Sequence, residues 1–244
     1  MTDDREGLPR ESSSPKGAPS EAPTHDPVHD GEKWYHHILY WLIVNSLRCA
    51  ARVFFFAKYT NRDRVPKAGP FVLVANHVSF FDPPAAGIAT PRKIHYLARA
   101  SLFENRFFGG LIAALGSHPI ERGASDRRGL LLAAEILEAG NPIIVFPEGH
   151  RSRDGTFQPF QRGFLLLVKK AQVPVLPIWI EGTRKILPPG RKFPRWARLR
   201  VFFGQPIPWE EAVSIGAEGI RERVGQLAPA NTAQTGVPQR AAAR

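Results

Sequence analysis

The chain has 244 residues, 43% of them hydrophobic, with one cysteine and a formal net charge of +11. That length and apolar content can bury one large core or at most two small ones, so one α/β domain is expected, and the lone Cys49 excludes an internal disulfide and any cysteine-based metal motif. Residues 1–32 hold eight acidic and three basic side chains, a local −5 within the chain's +11, so residues 33–244 carry +16 and favour anionic partners: nucleic acid, acidic lipid headgroups or phosphorylated cofactors.

Residues 1–32 contain almost no large apolar side chain and many Pro, Ser, Gly and acidic residues, which predicts a disordered acidic leader. They lack the basic start, apolar stretch and small-residue cleavage site of a secretory signal. Residues 33–58 are the most hydrophobic part of the chain. From Trp34 to Leu47 there are 14 residues without a formal charge, short of the roughly 20 that a spanning helix needs, and Arg48 and Arg52 interrupt the apolar run beyond Leu47. The reading is a helical segment lying in a membrane interface, with Trp34, Tyr35, Tyr40 and Trp41 at the headgroup boundary and Arg48, Arg52 and Lys58 facing anionic phosphates. The alternatives are a helix that covers the core and a single spanning helix. His36 and His37, adjacent in this stretch, do not share one helical face and are read as solvated or interfacial.

Residues 59–227 form the folded domain. The run Phe71-Val-Leu-Val-Ala is short, apolar and preceded by Pro-Lys-Ala-Gly-Pro, as a buried strand of a helix-covered sheet would be. Asn76 to Asp82 lie just past its carboxyl end, where ligands and catalytic groups gather in open α/β sheets. Neither a continued strand nor a continuous helix would pair His77 with Asp82. A turn after His77, with a helix starting near Asp82-Pro83-Pro84, would fold the carboxylate back onto the imidazole; the plainer alternative is an N-cap aspartate and a turn histidine. Then "KIHYLA" reads as a strand, "FFGGLIAALG" as a helix, "HPIE" as an extended piece, and "SDRRGLLLAAEILEAG" as a helix capped by Ser125 and ended at Gly140. Next come "PIIVF", a Gly- and Arg-rich loop, the helical "GFLLLVKKA", and the strands "VPVLPIWI" and "RLRVFFG". Strands separated by helices give the fold class α/β, a largely parallel β-sheet flanked by helices behind an N-terminal amphipathic segment. Strand order is not legible, and residues 228–244 are expected to be a disordered tail.

Three further clusters carry chemistry: "GSHPIERG" with Arg122, "FPEGHRSRDG" with Glu148, Gly149, Arg151 and Arg153, and the proline-broken strand "VPVLPIWI". The arginines offer fork-shaped donors for phosphate, and Gly149 lets backbone approach a ligand closely. Taken in order, "NHVSFFD", "GSHPIER", "FPEGHRS" and "VPVLPIWI" resemble the four sequence blocks of the glycerophospholipid acyltransferases, the family of 1-acylglycerol-3-phosphate acyltransferases, over about residues 60 to 205.

The resemblance implies an enzyme that moves a fatty acyl group from acyl-CoA or an acyl-carrier protein to a hydroxyl of a glycerophosphate lipid, with lysophosphatidic acid as the expected acceptor. No cofactor or metal need be invoked, no nucleic-acid motif is present, and the apolar segment with the basic body gives the expectation of a peripheral or monotopic place on the cytoplasmic face of the cell membrane, against an anionic surface. His77 matches the family's catalytic histidine and Asp82 its partner. His77 would act as general base on the acceptor hydroxyl and Asp82 would fix its tautomer, so that no acyl-enzyme is required. Ser79 is assigned to positioning, and Arg122, Glu148, Gly149 and Arg151 to the acceptor side. Oxyanion donors are expected from backbone amides of the Asn76 to Asp82 turn or the Glu148-Gly149 loop. The chain departs from the family where Pro119 and Glu121 occupy the second block, where His150 stands for a frequent threonine, and where Gln161 stands for a frequent lysine. The first two of these departures bear on the acceptor's identity, leaving another lyso-lipid or glycerol 3-phosphate as alternatives. Two rival classes are a serine hydrolase, against which Val78-Ser79-Phe80 lacks the glycines of a nucleophile elbow, and a non-catalytic basic membrane-binding module.

Overall fold

The computed structural model describes residues 34–120, 126–152, 154–191 and 193–230. The long apolar stretch becomes one helix, α1 (Trp34–Phe55), followed by β1 (Lys58–Thr60), β2 (Val72–Ala75), α2 (Asp82–Ala89), β3 (Tyr96–Arg99) and α3 (Arg106–Ala114). The chain continues through β4 (Ser117–Ile120), α4 (Asp126–Glu138), β5 (Ile143–Val145), α5 (Gly163–Ala171), β6 (Val175–Glu181), α6 (Thr183–Ile186), β7 (Arg200–Phe203) and α7 (Trp209–Gly225). The leader and most of the tail read from the sequence lie outside the described residues, as does the Ser125 cap.

The five-stranded sheet has the order β1-β7-β6-β2-β5. A bridge between His95 and Ile143 attaches the parallel pair β3-β4 beyond β5. β2 pairs in parallel with both β5 and β6, whereas β7 runs antiparallel to β6 and carries β1 with it. A strand covered on both faces has no polar face, which is why Phe71 to Ala75 read as a continuous apolar run and are fully buried. Alternate residues serve two cores. Val72 and Val74 pack with α4, α5 and α7, while Phe71, Leu73 and Ala75 pack with α1 and α2. The crossovers through α2 and α3 both advance from β2 outward to β4, so right-handed connection puts α3 on the same side as α1 and α2.

α1 packs on α2 through Tyr40, Val44, Arg48 and Ala51, spaced three or four residues apart on one face. Arg48 overturns its expected role. It is buried, donating from Nε to the Ile88 carbonyl at 2.7 Å and from Nη2 to the Thr90 carbonyl at 2.6 Å, while Arg62 Nε donates to the Ala89 carbonyl at 2.8 Å. These are carbonyls at the C-terminal end of α2, where intrahelical donors run out and the helix dipole is negative, so two guanidinium groups satisfy them better than water-facing phosphate contacts would. Arg52 and Lys58 stay exposed. The opposite face of α1 presents Ile38, Leu39, Leu42 and Val53, all at least half exposed.

The last helix, α7, is absent from the expected elements, although Pro208, Glu210 and Glu211 mark its start and Ala212, Ile220 and Val224 its buried face.

Candidate active site

The site lies at the carboxyl ends of β2 and β5. As the chain leaves β2, the Asn76 side chain takes over the ladder: its Nδ2 donates to the Ile180 carbonyl at 2.9 Å and its Oδ1 accepts from the Ile180 amide at 2.8 Å. That lock sets where His77 begins. The His77 amide donates to Glu148 Oε1 at 2.7 Å, and its carbonyl accepts from the Ser152 amide at 2.9 Å, so two of the sequence clusters are clipped together at their backbones.

His77 and Asp82 meet as the turn reading anticipated. Nδ1 of His77 lies 2.9 Å from Asp82 Oδ2, and the same oxygen accepts from the Val78 and Ser79 amides, each at 2.7 Å. Asp82 is the first residue of α2, fully buried, with Pro83 and Pro84 in the first turn. Three donors on one oxygen fix the carboxylate, and the carboxylate fixes the ring. The imidazole stacks on Phe146 at 4.2 Å between ring centroids, 25° from parallel. Its side chain is 18% exposed, and Nε2 makes no hydrogen bond among the described residues, so that nitrogen is open to a substrate. An Nδ1–H tautomer donating to Asp82 leaves Nε2 with a lone pair, the form a general base requires.

Glu148 is 2% exposed and has both oxygens occupied, Oε1 by the His77 amide and Oε2 by the Gln158 amide at 3.2 Å. Burial pushes its carboxyl up to about 7, opposed by those two hydrogen bonds and reinforced by the Asp82 charge. Gly149 sits at a φ of +74°, a left-handed conformation that favours glycine, whereas the nearest obstacle to a Cβ is the movable end of the exposed Gln161 side chain. Ser79 is buried, its Oγ donating to the Leu187 carbonyl at 3.1 Å and accepting from the Phe81 amide at 3.2 Å. Its hydroxyl holds the turn and does not bond to His77, which removes the serine–histidine relay a hydrolase needs.

Arg151 lies over the Phe80 ring, its Cζ 3.3 Å from the centroid. Burial lowers its pKa, as does the neighbouring positive charge of Arg99, while Asp82 raises it. Arg99, exposed at the end of β3, is thus a cation near Arg151 that the sequence did not single out; only its place at a strand's carboxyl end could have flagged it. Arg122 and Arg153 lie outside the described residues. His150 is exposed, and the side chains of His36 and His37 are not among those described. Many of the amides expected to serve an oxyanion are already engaged: those of His77, Val78, Ser79, Phe81, Asp82 and Gly149 all donate within the protein. The amides of Phe80, His150 and Arg151 have no such partner among the described residues.

A family model described as Acyltransferase matches residues 56–181, more than half of the chain and the whole of the His77, Asp82 and Glu148 constellation. The chain belongs to the Acyltransferase family. This acyltransferase is 22% identical over 194 residues to the 1-acyl-sn-glycerol-3-phosphate acyltransferase of Bacillus subtilis, covering 76% of this chain and 92% of that one. It is 28% identical over 167 residues to the enzyme of the same name from Streptococcus pneumoniae, covering 67% of this chain and 60% of that one. A chloroplastic relative from Brassica napus, 32% identical over 143 residues, is matched over 57% of this chain and 41% of its own length. The crystal structure of the 1-acyl-sn-glycerophosphate acyltransferase from Thermotoga maritima superposes with a TM-score of 0.65 at 25% identity, over 82% of this acyltransferase and 83% of that chain.

Proposed function

We propose that the protein transfers a fatty acyl group from an acyl thioester to the free hydroxyl of 1-acylglycerol 3-phosphate, giving phosphatidic acid. The observation that carries this reading is the His77–Asp82 pair, with Nδ1 held at 2.9 Å by a buried carboxylate and Nε2 left open. An alcohol is a weak nucleophile at neutral pH. Nε2 removes the hydroxyl proton as the oxygen attacks the thioester carbonyl; the tetrahedral adduct then expels the thiolate, which takes that proton from the imidazolium. Asp82 stabilises the imidazolium between the two steps. The acceptor's own hydroxyl fills the place of an enzyme serine, so no acyl-enzyme forms and no resident cofactor or metal takes part.

Arg99 and Arg151 repel one another at the mouth of the site, and an acceptor phosphate between them relieves that repulsion. Arg122 is the third guanidinium assigned to this phosphate. Glu148 orders the loop rather than touching the glycerol, since both its oxygens are spent on backbone amides. The amides of Phe80, His150 and Arg151 are the donors we assign to the oxyanion.

The substrate chains partition into bilayers, so the enzyme works at a surface. α1 is long and apolar enough to cross a membrane by length and composition over Ile38–Phe55. Its inner face, however, is committed to α2 through Arg48, which favours an interfacial helix that offers the lipid only its outer face. We place the protein on the cytoplasmic face of the membrane.

The test is to offer purified protein on anionic liposomes a panel of acyl-CoA and acyl-carrier-protein donors. Acceptors would be 1-acylglycerol 3-phosphate, lysophosphatidylcholine, an aminoacyl lyso-lipid and glycerol 3-phosphate, with lipid mass spectrometry as the readout. Phosphatidic acid should be the dominant product. Faster acylation of an acceptor without a phosphate monoester would overturn the substrate assignment.

A further inference from the structure

Between α6 and β7 runs a segment, Leu187 to Arg198, that neither completes the sheet nor enters the catalytic pair. Residues 182–200 contain seven Lys and Arg and no Asp or Glu. Within this stretch Phe193 is 81% exposed and Trp196 72% exposed, with Arg191, Arg195 and Arg198 exposed beside them. Large aromatic rings left in water among cations are costly unless something covers them, since each removes apolar area from water only when it is docked.

The segment is held in place. The Arg195 amide donates to the Ile186 carbonyl at 2.7 Å, and the Arg191 amide closes a turn onto the Pro188 carbonyl at 3.1 Å. At its base, a Cβ on Gly182 would strike the Arg198 carbonyl, so the two stems are in contact. The Trp196 ring packs edge-on against Phe54 at the end of α1, 5.8 Å between centroids at 85°. The Leu199 amide donates to the Phe55 carbonyl at 2.8 Å, and Ser79 of the catalytic turn donates to the Leu187 carbonyl. The exposed aromatics are thus continuous with Val53, Phe54 and Phe56, which are 49–63% exposed on α1 and just past its end, and tied to the residues that flank His77.

We propose that the Leu187–Arg198 segment is a second membrane-binding element, seated beside the end of α1 on an anionic bilayer, with Phe193 and Trp196 at the headgroup boundary and Arg191, Arg195 and Arg198 on lipid phosphates. Two observations select a bilayer over a protein or a nucleic acid. The aromatic and cationic groups are interleaved as an amphipathic interface requires, and the patch continues the apolar outer face of α1. Through Ser79 and Leu187, the segment sets the catalytic turn at a fixed height above the lipid. This inference rests on the reading that the enzyme works at a surface, and its test separates the two.

The full-length protein, the Phe193→Ala variant and the Phe193→Ala/Trp196→Ala double variant would be titrated against vesicles of phosphatidylcholine with and without phosphatidylglycerol. Acyl transfer would be measured on a vesicle-borne and on a short-chain, water-soluble 1-acylglycerol 3-phosphate. Phe193 makes no ring contact among the described residues, so its variant keeps the fold. Phe193→Ala should weaken partition onto anionic vesicles several-fold and the double variant about tenfold or more, with transfer to the vesicle acceptor falling in step and transfer to the soluble acceptor within about twofold of wild type. Arg191→Gln/Arg195→Gln/Arg198→Gln should erase the preference for anionic over neutral vesicles. Wild-type vesicle binding by both aromatic variants would overturn the proposal, as would equal loss on the soluble acceptor, or tighter binding of the segment to an oligonucleotide competitor than to vesicles. If segment-dependent vesicle binding holds while no lyso-lipid is acylated, the proposed reaction fails and this inference stands.

Discussion

Glu148 stores a pH dependence that Glu148→Gln should remove. Its carboxyl is pushed from 4.5 up to about 7, first by burial, with the Asp82 charge adding to the effect. Below pH 4.5 the group is protonated in both folded and unfolded chains. As pH rises from there, the unfolded chain ionises first while the folded one stays protonated until about 7, so this group's contribution to stability is lost across that window. Each tenfold difference in proton affinity between the two states is worth roughly 1.4 kcal/mol, so the loss totals about 3 kcal/mol, of which about 2.5 kcal/mol falls between pH 5 and pH 8. Glutamine cannot ionise, but its NH₂ faces one of the two amides that Glu148 accepts from, a loss of about 1 kcal/mol at acid pH. Urea unfolding of wild type and Glu148→Gln at pH 5, 6, 7 and 8 isolates this contribution by difference. Wild type has already lost about 0.8 kcal/mol of this contribution by pH 5, so the two proteins should be nearly equal in stability there and the variant the more stable at pH 8, the difference moving by about 2.5 kcal/mol. A difference constant to within about 0.5 kcal/mol across the range would refute this role for Glu148.

Other expectations rest on the same geometry. Asp82→Asn removes the charge that balances the imidazolium and should lower turnover by about 10²–10⁴-fold with little change in Michaelis constants. Arg99→Ala or Arg151→Ala should raise the Michaelis constant for the phosphorylated acceptor and leave that of the acyl donor nearly unchanged; equal damage to both would remove the phosphate from between them. Ser79→Ala should reduce turnover no more than about tenfold, because it loosens a turn and deletes no nucleophile; a collapse on the scale of a lost nucleophile would restore the hydrolase-like reading. Arg48→Ala strands two buried carbonyls of α2 and should cost roughly 3 kcal/mol in urea unfolding.

What the sequence showed and what it hid divide along a physical line. The turn from His77 to Asp82 was legible because its determinants are local: an apolar strand, a polar step, and a Pro-Pro helix start. Apart from the four-residue α6, the strands and helices from Phe71 to Phe203 were legible for the same reason, each carrying its own period and punctuation. Strand order was not, since the antiparallel β7 and its parallel neighbour β1 are chosen by pairing between segments about 140 residues apart. Arg48 was misread because its partners are carbonyls 40 and 42 residues away, which no helical wheel displays. Arg99 and the Leu187–Arg198 segment escaped notice likewise: one becomes a site residue only when β3 is laid beside β5, and the other gains its meaning only from contact with α1.

In the proposed reaction His77 Nε2 takes the acceptor's proton directly. Turnover of folded His77→Ala, bound to anionic liposomes and supplied with saturating acyl donor and 1-acylglycerol 3-phosphate, tests it most directly. Direct proton transfer to Nε2 requires a fall of about 10²–10⁴-fold with vesicle binding unchanged; turnover above about a tenth of wild type would mean that another group takes the proton.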